Sequence, residues 1–317
     1  MNGNIYILLI LIQIICCIYF IQMNKFFSGI PIYWINLKDS IQRYRSAVDQ
    51  LKNYKNNLRI EAVDGRDDKI FLENYKINYI SKINFTNSLV AVVCSHIRAI
   101  KTACNNKLEK VCIFEDDFNL KLLKYYPHTL QDIINKAPPD WEVIQLYYYE
   151  IFRNNNENVL TERYIKEYRQ KGLQLIKPNP CYSGTSYVIN KKGMDKILNN
   201  VVNTDGNNKF MFMVPMDSPE KMIFHSLNYY VVNIPPILHT DHTSTLKSYI
   251  NGIDKKDLHD DQYYNGQRIL DFLLHLENNN KEIYRKKKII NIIELKSKIK
   301  LEATPIKLHK RHKIIII

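Results

Sequence analysis

The sequence predicts an α/β protein, and three observations carry that prediction. An apolar run at 31–37 is followed by the polar turn Lys38-Asp39-Ser40. Helical spacing then begins, with Ile41, Tyr44, Val48, Leu51 and Tyr54 on one face. A second apolar run, Lys110-Val111-Cys112-Ile113-Phe114, ends in Glu115, Asp116 and Asp117. Its β-branched and aromatic content reads as a buried strand. Strands alternating with helices build a sheet covered by helices, and such sheets place ligands at the carboxyl ends of their strands.

Further elements follow in order. A strand at 58–63 leads to Asp64-Gly65, a turn signal whose acid also suits a ribose hydroxyl at a strand end. A mostly buried helix at 88–104 carries Leu89, Val92, Val93, Ile97 and Ile100, with His96 on or beside its apolar face. A satisfied core histidine is the plain reading of His96. Strands are expected at 142–148, 181–190 and 229–234, and helices at 191–198, 218–227 and 269–276. The polar stretch 150–177 reads as a variable excursion, with a flap over the site as one use for it.

At 317 residues the chain has room for one large domain or two smaller ones. Its formal net charge is +13, but residues 281–317 hold twelve Lys or Arg against three Glu. A surplus of nine therefore lies in the tail, and no nucleic acid is expected as partner of the body. The six cysteines show neither CxxC nor metal-ligand spacing, so buried free thiols are the default.

Residues 5–22, IYILLILIQIICCIYFIQ, carry no charge and come near the minimum length for spanning a bilayer. No basic segment precedes them and no small-x-small cleavage site follows, which favours an uncleaved signal anchor over a cleaved peptide. The expected organisation is therefore an anchor and linker at 1–30, a catalytic domain at 31–250, and a helical and basic tail at 251–317. Asn84-Phe85-Thr86 is a glycosylation sequon, meaningful if that side faces a secretory lumen.

The chemistry-bearing residues gather after strands. Three adjacent acids repel one another and are costly to desolvate unless a cation compensates them. Hard oxygen ligands at a strand edge suit Mg²⁺ or Mn²⁺, and a solvated acidic turn accounts for the same residues. Arg43, near the exit of the first strand beside Asn36, has the planar fork that pairs with diphosphate oxygens, or else lies solvated on an exposed helix. Asp217 fits either a general base or a helix N-cap. His239, in His239-Thr240-Asp241-His242, offers a nitrogen ligand or forms a polar turn.

In order and spacing, several stretches resemble glycosyltransferase family 25, which includes lipopolysaccharide-type sugar transferases and procollagen galactosyltransferases. They are IYWINLKDSIQRYR at 32–45, EAVDGRD at 61–67, VAVVCSHIRAIKTAC to KVCIFEDD at 90–117, DWEVIQL at 140–146, CYSGTSYVINKKGMDKIL at 181–198 and VPMDSPE at 214–220. The resemblance implies a GT-A-like nucleotide-sugar fold, a mixed and mostly parallel sheet flanked by helices. It also implies inverting transfer of a hexose, galactose or glucose, from a UDP-sugar to a glycan or hydroxylated protein acceptor. Asn36, Arg43, Asp64, Gly65, Ser95 and His96 match its donor-binding motifs. Glu115, Asp116 and Asp117 match its metal-binding triplet for Mn²⁺ or Mg²⁺, and Asp217 matches its late acid, the expected base; outside the matched motifs, His239 or His242 is expected as a supplementary metal ligand. The anchor would place the body in a secretory lumen in a eukaryotic or viral setting, and at an inner membrane otherwise. Two rival classes share these features: a metal-dependent phosphohydrolase or nucleotidyltransferase, and a non-catalytic membrane-anchored binding protein.

Overall fold

The computed structural model describes residues 24–66, 78–79, 87–148, 159–177, 183–203, 210–212, 223–224, 227–240, 269–276 and 278. The chain divides into two compact units, Met1–Asp271 and Phe272–Ile317. In the second, residues 272–276 are helical. Among the described residues no helix is long and apolar enough to cross a membrane. The apolar segment 5–22, the sequon at Asn84, Asp217, Asp241-His242 and the basic tail 281–317 lie outside the described residues.

In chain order the first unit runs β1 (Ile32–Asn36), α1 (Ile41–Leu51), β2 (Asn57–Glu61), β3 (Asn78–Tyr79), α2 (Asn87–Asn105), β4 (Lys110–Glu115), β5 (Phe118–Asn119) and α3 (Leu130–Asn135). It continues through β6 (Val143–Gln145), α4 (Val159–Lys171), β7 (Leu175–Ile176), β8 (Ser186–Asn190), α5 (Lys191–Asn200), β9 (Val201–Asn203), β10 (Phe210–Phe212), β11 (Tyr229–Val232) and β12 (Leu238–His239). Among the described residues the central sheet has seven strands in the order β2-β1-β4-β8-β6-β11-β7. Five share one direction, and β8 and the edge strand β7 run against them. This is a mixed, mostly parallel α/β sheet, as expected. Two short ladders accompany it, β3-β10-β9 and β12-β5.

β1 is buried at every position, which explains why Ile32-Tyr33-Trp34-Ile35 shows no polar alternation. Successive side chains face opposite sides of the sheet. Tyr33 and Ile35 join Val111, Ile113, Tyr187 and Ile189 in a core that α2 covers with Val90, Val93, Cys94, Ile97 and Ile100. Trp34 faces the other way and its ring lies 5.8 Å from that of Tyr44 on α1. The two helices therefore cover opposite faces. The chain leaves β1 through α1 to β2 on one side, then returns through α2 to β4 on the other. The gap between the carboxyl ends of β1 and β4 is thus a topological switch point, where open α/β sheets form their ligand crevice.

Two sequence expectations are corrected here. The apolar stripe of α1 is buried only toward its C-terminal end, at Leu51 and at Tyr54 just beyond it. Ala47 and Leu51 are buried, whereas Ile41, Tyr44 and Val48 are 51%, 37% and 39% exposed. Periodicity shows that these side chains share a face, but the stripe is wider than the elements that cover it. The polar stretch 150–177 also contains structure. α4 buries Tyr164 and Ile165, the Tyr164 ring sits 5.5 Å from that of Tyr148, and β7 closes the sheet edge against β11.

A buried carboxylate fastens the opposite edge of the sheet. Glu142, immediately before β6, accepts from the backbone N–H of Asn228 at 2.8 Å and from Lys196 of α5 at 3.2 Å. Lys192 stands 3.4 Å from its other oxygen. Gly193 lets α5 seat there, because a Cβ at that position would come within 2.8 Å of the Glu142 carbonyl oxygen.

Candidate functional site

The carboxyl ends of β1, β2 and β4 open into one cleft. It is lined by Asn36, Arg43, Asp64, Gly65, Arg66, Ser95, His96 and the triplet Glu115-Asp116-Asp117, among others. Nine of these ten are residues that the sequence singles out as binding residues or ligands, and they line this one cleft: Asn36, Arg43, Asp64, Gly65, Ser95, His96 and the triplet.

Arg43, on the first turns of α1, reaches across the switch point. Its two terminal nitrogens donate to Asp116 at 2.6 Å and to Asp117 at 3.0 Å. Asn36, at the last position of β1, donates to the other Asp116 oxygen at 2.6 Å. Arg59 of β2 donates to the Asn36 side-chain oxygen at 3.0 Å, which fixes which way that amide faces. Arg59 was not legible as a site residue, since an arginine within a half-exposed edge strand ordinarily reads as solvated.

His239 arrives from far along the chain because β12 pairs antiparallel with β5, directly after the triplet. The N–H of Thr240 donates to the Asp117 carbonyl at 2.6 Å, and His239 Nε2 lies 3.1 Å from Asp117 Oδ2. Asp117 is buried, and among the described residues its Oδ1 has no hydrogen-bond partner. Burial acts to raise the Asp117 pKa, but His239 and Arg43 outweigh it and hold this carboxyl well below its ordinary range. Burial pushes Asp116 up to about 6, despite Arg43. Burial likewise acts to lower His239, and Asp117 overrides it and raises the imidazole above its ordinary value. The two neighbouring acids are thus unequal: Asp117 is the committed anion.

Glu115 turns elsewhere. Its Oε1 lies 3.2 Å from Nε2 of the buried His96, whose Nδ1 lies 3.0 Å from the hydroxyl of Tyr187 on β8. The structure therefore brings Asp116, Asp117 and His239 together and pairs Glu115 with His96. Ser95 does not offer its hydroxyl to the cleft. It donates to the Ala91 carbonyl at 2.7 Å and accepts from the Val63 N–H at 2.8 Å, which ties α2 to the loop after β2. Asp64 is exposed and bonded to Arg66, and hydrogen bonds from Arg66 lower its pKa. Arg66 also donates to Asp39 at 2.7 Å, closing a link between the loops after β1 and β2. Asp217 lies outside the described residues.

Among the described residues no group of three or more His, Cys, Asp or Glu side chains forms a ready metal cage. The donor set nonetheless fits a hard divalent ion. Asp117 offers a buried, unpartnered oxygen beside an imidazole nitrogen, with Asp116 adjacent. Mg²⁺-type ions are commonly held by one or two carboxylates together with substrate phosphates rather than by an all-protein cage.

A sheet-edge cleft at a switch point, rich in carboxylates and crossed by a guanidinium, defines an α/β enzyme of the kind that binds its ligand beyond the strand ends. The model of glycosyltransferase family 25 (LPS biosynthesis protein) matches residues 29–218. The chain belongs to that family and is a glycosyltransferase. A search among curated proteins finds no match. Among solved structures, the chain is similar to a glycosyltransferase involved in the glycosylation of the major capsid of PBCV-1. That likeness has 10% identity and a TM-score of 0.34, over 64% of this chain and 80% of the other.

Proposed function

We propose that this glycosyltransferase moves a hexose, galactose or glucose, from a UDP-sugar to a hydroxyl of a glycan or hydroxylated protein, with inversion and with a divalent ion. The observation that carries the reading is the buried Asp117, its Oδ1 unpartnered, between Arg43 and His239 at the switch point. Asp117 and His239, with Asp116 beside them, would hold Mn²⁺ or Mg²⁺, which when bound supplies positive charge to the departing diphosphate.

The chain's own residues do the rest. The two carboxylate bonds of Arg43 use two of the five N–H donors of its guanidinium. The others remain for diphosphate oxygens, which the planar fork matches in pairs. Arg59 fixes Asn36, and Asn36 fixes Asp116, so the acidic turn is preorganised before a donor arrives. The loop holding Asp64 and Gly65 forms the wall suited to the nucleoside. Inversion is a single displacement, so the acceptor hydroxyl needs a base on the far side of the sugar, a part we assign to Asp217 from the sequence. The apolar segment 5–22 is the proposed membrane anchor.

The test is initial-rate assay of the purified chain with Mn²⁺ and a panel of radiolabelled UDP-sugars. Transfer or donor hydrolysis is expected from UDP-galactose or UDP-glucose, abolished by chelator. Asp117→Asn is expected to lower it roughly 10²–10³-fold, the scale of removing one electrostatic contact to a transition state. No turnover of any donor by folded protein would overturn the reading.

A further inference from the structure

Beneath the cleft lies a row of buried polar groups that neither the diphosphate nor the ion accounts for. Tyr187 and His96 are 0% and 1% exposed, while the Glu115 side chain at the cleft wall is 28% exposed. Their order is Tyr187 hydroxyl, His96 Nδ1, His96 Nε2, Glu115 Oε1, at 3.0 and 3.2 Å. A carboxylate oxygen accepts, so the row holds Glu115 through a proton on His96 Nε2, while the Tyr187 hydroxyl holds the ring from its other side at Nδ1. Tyr187 is suited to this role: burial and the nearby Glu115 charge hold its hydroxyl protonated, well above the ordinary tyrosine range.

A backbone contact completes the arrangement. A Cβ on Gly184 would stand 2.7 Å from Glu115 Oε1 and 3.2 Å from His96 Nε2. The segment around Gly184 has little room to retreat. Gln145 donates to the Ser183 carbonyl at 2.8 Å, the Thr185 N–H donates to the Ser183 hydroxyl at 3.0 Å, and the Glu115 N–H donates to the Thr185 carbonyl at 2.8 Å.

We infer that Tyr187, His96 and Gly184 are positioning residues that hold Glu115 in one orientation, so that its other oxygen accepts from a hydroxyl of the bound sugar nucleotide. Glu115 is then a substrate contact set apart from the Asp116-Asp117-His239 group. This rests on the donor reading above, and it names three residues outside the diphosphate and ion sites.

The experiment uses the full chain and two readouts. Long-range ¹H–¹⁵N spectra of the histidine rings, with His96 assigned by its loss in His96→Gln, report the tautomer. Initial rates with Mn²⁺ and UDP-galactose or UDP-glucose report turnover. The wild type is expected to show a proton on His96 Nε2. Tyr187→Phe keeps the ring in the core, and it is expected to shift the Nδ1 resonance and lower kcat roughly tenfold, the scale of one hydrogen bond. Gly184→Ala is expected to stay folded with a melting temperature lowered by only a few degrees, because the nearest atom it displaces ends a flexible side chain, and to lower kcat roughly a hundredfold through misplacement of Glu115. A wild-type His96 with no proton on Nε2 overturns the proposal, as does wild-type turnover in both variants. If the wild type turns over no donor, the donor reading fails, and the His96 spectrum alone decides the positioning row.

Discussion

At the scale of single residues, Arg43 decides whether the acidic edge is tolerable. Its side chain is 13% exposed and bridges two carboxylates of 7% and 8% exposure. Such a bridge is weak evidence of net stability, because desolvating three charges offsets most of their attraction. Removing one partner is another matter, since it leaves buried charge without compensation. Arg43→Ala is expected to destabilise the protein by about 3–5 kcal/mol, read from the denaturation midpoint with no change in slope. Arg43→Lys keeps the charge but not the fork spanning Asp116 and Asp117, and is expected to fall between the two. If Arg43→Ala matches wild-type stability, the bridge does not hold the edge. The convergence of Asn36, Arg43 and the triplet was legible because each follows a strand signal, and strand ends meet at one edge. Tyr187 was not, because a tyrosine inside an apolar strand reads as core, and nothing local shows where its hydroxyl ends. Gly184 reads only as part of the strand expected at 181–190. Its reason is the Glu115 carboxylate, far away in sequence.

At the scale of elements, Glu142 joins the start of β6, helix α5 and the residue before β11 through one buried carboxylate. Burial acts to raise its pKa, and the Asn228 N–H with Lys196 and Lys192 more than cancels that and lowers it below the usual 4.5. A depressed acid pKa means stability that is present above the unfolded-state value and lost as pH falls through the folded-state value. Glu142→Gln is therefore expected to cost about 1–3 kcal/mol near neutral pH, and the difference from wild type is expected to shrink below about pH 4. Denaturant titrations at the two pH values measure this, and a difference independent of pH would refute the charge argument. Pairings of this kind were hidden in the sequence. Glu142 read only as the polar start of a strand. β8 has the composition of any buried strand, and its antiparallel insertion between β4 and β6 depends on which elements pack together, not on its own pattern. The exposure of Ile41, Tyr44 and Val48 has the same origin: periodicity sets a face, and only the neighbours decide whether it is covered.

At the scale of the whole molecule, the α/β class and the edge carrying the site followed from alternating strands and helices. The division at Asp271 did not, because the helical pattern at 269–276 runs across it without a break in composition. A chain of two units need not melt in a single transition, so a ligand acting on the cleft is best followed through the transition of the unit that contains it. All residues lining the cleft belong to the first unit. A ligand that binds only the native state, at 100 times its Kd, adds about 2.7 kcal/mol. For a unit of this size that corresponds to roughly 5–10 °C in Tm. With Mn²⁺ present, UDP-galactose or UDP-glucose is expected to raise the first unit's transition by that amount, while GDP- and CMP-sugars leave it in place. Asp117→Asn is expected to abolish the rise, because the oxygen it replaces is the buried acceptor beside His239. A rise of equal size without Mn²⁺, or with every nucleotide sugar, would mean that the cleft takes nucleotides without the Asp117 and His239 pair and without reading the uridine.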